Sequence, residues 1–172
     1  MPELREKEDQ NVWNFLFSVV FVGLATLSIW NMQRVYGALP TNISVFDAIL
    51  IVLAVFRLTR LFVYDKVARF VREWFVQKKM ELTETGAMVE TTPFKKGLRR
   101  AISEILACPW CTGAWLSLPV VYCYFMYAWS WYVIFVLAVA GLATLVQIIA
   151  NLIGWQAELG KIAVGEHDSK CG

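Results

Sequence analysis

Ala107-Cys108-Pro109-Trp110-Cys111-Thr112-Gly113-Ala114-Trp115 is where this chain changes character: a charged segment ends and a long apolar run begins. Proline suits the first position of a helix, where its missing N–H would have no partner anyway. The stretch therefore reads as a helix start carrying two thiols three positions apart. Downstream, residues 111–128 form an apolar run with Pro119 inside it as a kink. Trp129-Ser130-Trp131 makes a short aromatic turn, and residues 131–153 are apolar again, softened by Gln147 and Asn151. At about 1.5 Å per helical residue, each run is about long enough to cross a hydrocarbon layer of roughly 30 Å.

Upstream lie two more such runs, 12–30 and 45–64. The second holds Asp47, Arg57 and Arg60. Asp47 follows Ser44, where a carboxylate favours a helix N-terminus. Arg57 and Arg60 share a helix face near the other end, where long cations snorkel or pair with a carboxylate such as Asp65 or Glu104. Between runs two and three, residues 65–107 are amphipathic. Val67, Phe70, Val71, Trp74 and Phe75 give one helical stripe, predicting a surface helix over Lys66 to Met80, with Lys66, Arg69 and Arg72 toward anionic headgroups. Glu81 to Thr92 reads as a loop. Thr92-Pro93 then predicts a cap and a second amphipathic helix, Phe94 to Ala107, with Lys95, Lys96, Arg99 and Arg100 on its basic side.

Of the 172 residues, 58% are apolar and 17% charged, and the mean hydropathy is +0.53, which excludes a water-soluble domain. The expectation is an all-α integral membrane protein forming one membrane domain over 1–172. It has four transmembrane helices, two amphipathic helices between spans two and three, and a polar tail over 154–172. The acidic N-terminus lacks the basic start of a signal peptide. The segment between spans two and three holds Lys66, Arg69, Arg72, Lys78, Lys79, Lys95, Lys96, Arg99 and Arg100, whereas the first loop holds Arg34 alone and the last turn no cation. The positive-inside rule then places this segment and both termini in the cytoplasm. The expected location is a bacterial cell membrane, or that of a host cell if the chain is phage-encoded. The expected partners are anionic headgroups and a membrane protein or second copy, with no nucleic acid.

The thiols leave several chemistries open. A helix N-terminus stabilises a thiolate, so Cys108 and Cys111 could form a redox pair working with a quinone. A four-helix membrane chain with such a pair is similar in outline to quinone-linked thiol oxidases, but those act on the oxidising side of a membrane. Zinc is a second option, with Cys108, Cys111, His167 and Cys171 as the ligand set. A structural role is the third: Pro109 sets the helix start, Gly113 admits a close neighbour, and Trp110 and Trp115 sit at an interface. Cys123 lies mid-span and reads as packing. No complete catalytic constellation is present, which points to an interaction or membrane-organising component rather than an enzyme.

Two blocks in order, Phe56-Arg57-Leu58-Thr59-Arg60-Leu61 with Tyr64-Asp65, then Cys108-Pro109-Trp110-Cys111-Thr112-Gly113-Ala114-Trp115, resemble the YjcA-like family. This is a domain of unknown function in small bacterial and bacteriophage membrane proteins, one of them named for sporulation. The resemblance runs from about Val45 to the end of the fourth span and implies a shared site of Arg57, Arg60, Asp65, Cys108, Cys111, Gly113 and Trp115. The occurrence in phages adds a pore or lysis regulator to the functions such a chain could serve.

Overall fold

The backbone is described over residues 2–39, 42–83, 86–93 and 97–169 of a computed structural model, and side chains over 10–39, 42–75 and 97–160. Its helices are α1 (Pro2–Tyr36), α2 (Val45–Val63), α3 (Arg69–Glu73), α4 (Leu98–Ala107), α5 (Pro109–Met126) and α6 (Ser130–Ser169). One antiparallel hairpin, β1 (Val76–Thr83) and β2 (Gly86–Pro93), lies between α3 and α4.

The helix α2 is central, packed against α5 and α6. Its start is fixed by a reciprocal cap. The Ser44 hydroxyl accepts the Asp47 N–H at 3.1 Å and donates to the Asp47 carboxylate at 2.7 Å, and Asp47 also faces the Tyr124 hydroxyl. Leu50, Ile51 and Ala54 then meet Val120 of α5 and Ile134 and Ala138 of α6 in the core. On α6 the inward face is Ile134, Ala138 and Gly141, spaced i, i+4, i+7. A Cβ at Gly141 would fall inside contact distance of the Leu53 carbonyl oxygen and 3.4 Å from the Arg57 Cβ. Small residues there let two backbones approach, the packing expected where side-chain burial against lipid gives little driving force.

The joint between α4 and α5 is a 95° bend. Cys108 adopts an extended conformation (φ −100°, ψ 108°), ending one helix and capping the next. Thr112, 4% exposed, donates its hydroxyl across the bend to the Ile105 carbonyl at 2.7 Å. Thr112→Val keeps the shape and removes that bond, so a loss of about 1 kcal/mol is expected in a thermal unfolding curve. At the other end of α5, buried Ser130 donates to the Cys123 and Tyr127 carbonyls, closing the turn into α6.

On the outside lies α1. Phe17 and Phe21 meet Trp115 edge-on at 5.9 and 5.3 Å, Gln10 donates to Glu104, and the Tyr36 hydroxyl donates to the Phe125 carbonyl. Together with the Thr59–Gly113 and Leu53–Gly141 approaches, these contacts make α1 and α5 run one way and α2 and α6 the other.

Two helical stretches, Gln10–Tyr36 and Ser130–Gly160, are long and apolar enough to cross a membrane, and the bent α4–α5 pair makes a third if it counts as one span. Helices occupy all four runs expected to cross, but α2 carries Asp47, Arg57 and Arg60 within its length. The exterior is rich in exposed large apolar residues, from Val12 and Phe15 on α1 to Ile149 and Ile153 on α6, a surface suited to acyl chains rather than water.

Several local expectations need correction. The helix predicted over Lys66 to Met80 is a 3-10 turn (Lys66–Ala68) and α3, stopping at Glu73, and the chain then enters β1. The apolar stripe behind that prediction ends at Phe75, and Met80 and Leu82 follow with the period of a strand. The loop predicted over Glu81 to Thr92 falls largely in the hairpin, paired from Val76↔Pro93 to Thr83↔Gly86. Pro93 closes β2 rather than opening a helix. The next helix begins at Leu98, after Gly97 at φ 87°, a value that favours glycine. The tail expected from Gly154 continues as helix to Ser169. Lys95 and Lys96 lie outside the described residues.

Candidate functional site

The charged end of the helix bundle is built around the last turns of α2. Its last carbonyls have no partner within the helix and need donors from elsewhere. Arg72 supplies the donors, reaching back so that one guanidinium nitrogen meets the Phe62 carbonyl at 2.8 Å and the other the Asp65 carbonyl at 2.9 Å. A cation at this pole also complements the helix dipole. Arg72 was expected among the headgroup-facing cations; it is instead turned inward as a staple. Arg57 pairs with the Asp65 carboxylate at 2.8 Å, with the two side chains 23% and 27% exposed. The Arg60 guanidinium lies over the Tyr64 ring at 4.9 Å, and its Nε is buried without a partner among the described residues. Asp65 thus fixes Arg57 with its side chain and Arg72 with its backbone.

Glu104, the other carboxylate considered for the arginines, is held by Arg100 at 3.0 Å and by Gln10. Arg69 pairs with Glu73 one turn on, at 3.0 Å. Lys66 is exposed. Gly113 brings α5 against α2, since a Cβ there would meet the Thr59 hydroxyl at 3.4 Å.

At the bend the two cysteines meet. The Cys111 N–H points at the Cys108 sulfur at 3.4 Å. Hydrogen bonding by the Cys111 thiol first, and then by the Cys111 N–H, holds the Cys108 thiol below its ordinary value. Both cysteines are free, and Cys111 is exposed. They border a groove of about 540 Å³ between α1 and the α4–α5 joint, with Asn14, Phe17, Phe21, Glu104 and Trp115 around it. Among the described residues no three His, Cys, Asp or Glu side chains converge, and two members of the four-residue zinc set fall beyond them. The His167 side chain and Cys171 lie outside them.

A family model described as a protein of unknown function (DUF1360) matches residues 50–150, from the second turn of α2 to the middle of α6. The chain belongs to this family. It is 36% identical over 106 residues to the "Sporulation protein YjcA" of Bacillus subtilis (strain 168), covering 60% of this chain and 89% of that protein. It is 31% identical over 107 residues to the "UPF0713 protein YngL" of the same organism, covering 62% and 79%. No solved structure matches the chain. The family stretch contains the Arg57–Asp65–Arg72 cluster and the Cys108–Cys111 bend, while all of α1, which walls the groove, lies before residue 50.

The sequence reading missed Arg72 as a staple, Gln10 as a partner of Glu104 and Gly141 as the point where α2 and α6 meet. Ala138-x-x-Gly141 within an apolar run is a signal that could have given the last of these. No periodicity marks the other two: Gln10 reaches an element far along the chain, and Arg72 turns back across the break after α2.

Proposed function

We propose that this member of the DUF1360 family is a four-span protein of a bacterial cytoplasmic membrane, with both termini inside, acting as an interaction or membrane-organising component. In this reading α2 is the second span, its three charges tolerated because Asp47 is capped at one end and the arginines are paired or stacked at the other. The cation count supports a cytoplasmic α2–α5 connection. The observation that carries the functional part is where the charges go. Arg57, Arg72 and Arg100 are engaged with Asp65, two backbone carbonyls and Glu104, an arrangement that holds backbone in place. The result is a rigid face rimmed by outward cations such as Lys66 and Arg69, fitted to anionic headgroups.

Each such cation near an anionic surface contributes about 1 kcal/mol. Lys66→Gln with Arg69→Gln is therefore expected to reduce retention of phosphatidylglycerol, read by native mass spectrometry, by about tenfold or more, with the melting curve unchanged. An unchanged preference for anionic over zwitterionic lipid in the double variant would remove headgroup binding from the proposal.

A further inference from the structure

We infer that Cys108 and Cys111 form a two-thiolate site for a soft monovalent cation, copper(I) in a cell. Three observations converge on it. The Cys111 N–H lies 3.4 Å from the Cys108 sulfur, because the extended conformation at Cys108 and the first turn of α5 bring the two residues together at the bend, where both line one groove. They border an open groove, and Cys111 is exposed, so an ion has a route in. The number of donors is two: no third His, Cys, Asp or Glu completes a cluster among the described residues.

Thiolates are soft ligands and select soft ions such as copper(I) over magnesium or calcium. Zinc takes four ligands in structural sites and at least three protein ligands in catalytic ones, so a pair suits it poorly. Binding balances without any oxidant: two S–H bonds break, two metal–sulfur bonds form, two protons leave, and neither metal nor sulfur changes oxidation state. One positive and two negative charges leave a net negative charge at the N-terminus of α5, where the helix dipole favours it. The rings of Phe17, Phe21 and Trp115 give the groove an apolar side that limits water around the ion. The inference stands on the thiol pair and does not depend on which side of the membrane it faces.

The test uses the full chain in detergent, free of oxygen, titrated with copper(I) against the chromophoric chelator bicinchoninate, with silver(I) as a second probe. One copper per chain is expected. Cys108→Ser and Cys111→Ser should each weaken binding by more than about 100-fold, beyond the loss usual for an outer-shell residue. Affinity should fall as the pH is lowered, because protons compete for both sulfurs. Serine is a good N-cap, so Cys108→Ser should keep the fold, which a melting curve verifies. Cys123→Ser and deletion of residues 167–172 should leave binding intact. Copper binding by the double Cys108→Ser/Cys111→Ser variant equal to that of the parent overturns the inference. So does stoichiometric zinc that disappears when residues 167–172 are deleted, which would restore the four-ligand alternative.

Discussion

Gly141→Leu is expected to abolish recovery of folded protein, and Gly141→Ala to lower the melting temperature clearly. A Cβ at this position meets the Leu53 carbonyl, a backbone atom that cannot rotate away, so α2 and α6 must separate. Overpacking of this kind costs about 1–3 kcal/mol even when the obstacle is side chain. The helix preference of alanine over glycine returns at most about 1 kcal/mol. The clash therefore wins, and separation also opens the core of Leu50, Ile51, Ala54, Ile134 and Ala138. Gly23 and Gly154 are helical too, but a Cβ at either meets nothing within 4 Å. Gly23→Ala and Gly154→Ala should melt at or above the parent temperature in the same detergent. A Gly141→Leu protein that melts with the parent would show that α2 and α6 are not packed as described.

The second large effect is at the Arg57–Asp65 pair. Asp65→Ala removes the carboxylate of a pair whose side chains are 23% and 27% exposed, leaving the Arg57 guanidinium partly buried without it. Exposed pairs are worth up to about 1 kcal/mol, and breaking a buried one costs about 3–5 kcal/mol, so a loss of about 2 kcal/mol is expected here. Arg57→Met removes the charge along with the pair and should cost less. The double variant Arg57→Met/Asp65→Ala should be more stable than Asp65→Ala alone, because no unpaired charge remains. Additive losses in this cycle would mean that the pair contributes no coupling.

These two positions show what the sequence can and cannot convey. The apolar runs, the helix start at Pro109 and the carboxylate near Arg57 follow from composition and short spacings, which act locally. The turn of Arg72 onto carbonyls seven and ten residues back depends on the break after α2, where the chain leaves the helix for a 3-10 turn. No periodicity announces that. The hairpin is a competition between periods: an amphipathic helix stripe runs to Phe75, and the alternation that replaces it is short and flanked by lysines. The groove beside the thiols needs α1 to lie along α5, a long-range pairing carried by Phe17, Phe21 and Trp115. The 95° bend at Cys108 turns what looked like the entry to a straight span into a corner.

The most direct test of the membrane arrangement is the side from which single cysteines react with a membrane-impermeant maleimide. With the other cysteines replaced by serine, Cys111 is predicted to react in inside-out vesicles and to be silent in intact protoplasts. Cysteines introduced by Ser44→Cys or Trp129→Cys, at the opposite ends of α2 and α5, should show the reverse pattern. Labelling of Cys111 from outside intact protoplasts, or of Ser44→Cys only from the cytoplasmic side, would contradict the four-span, cytoplasmic-face account.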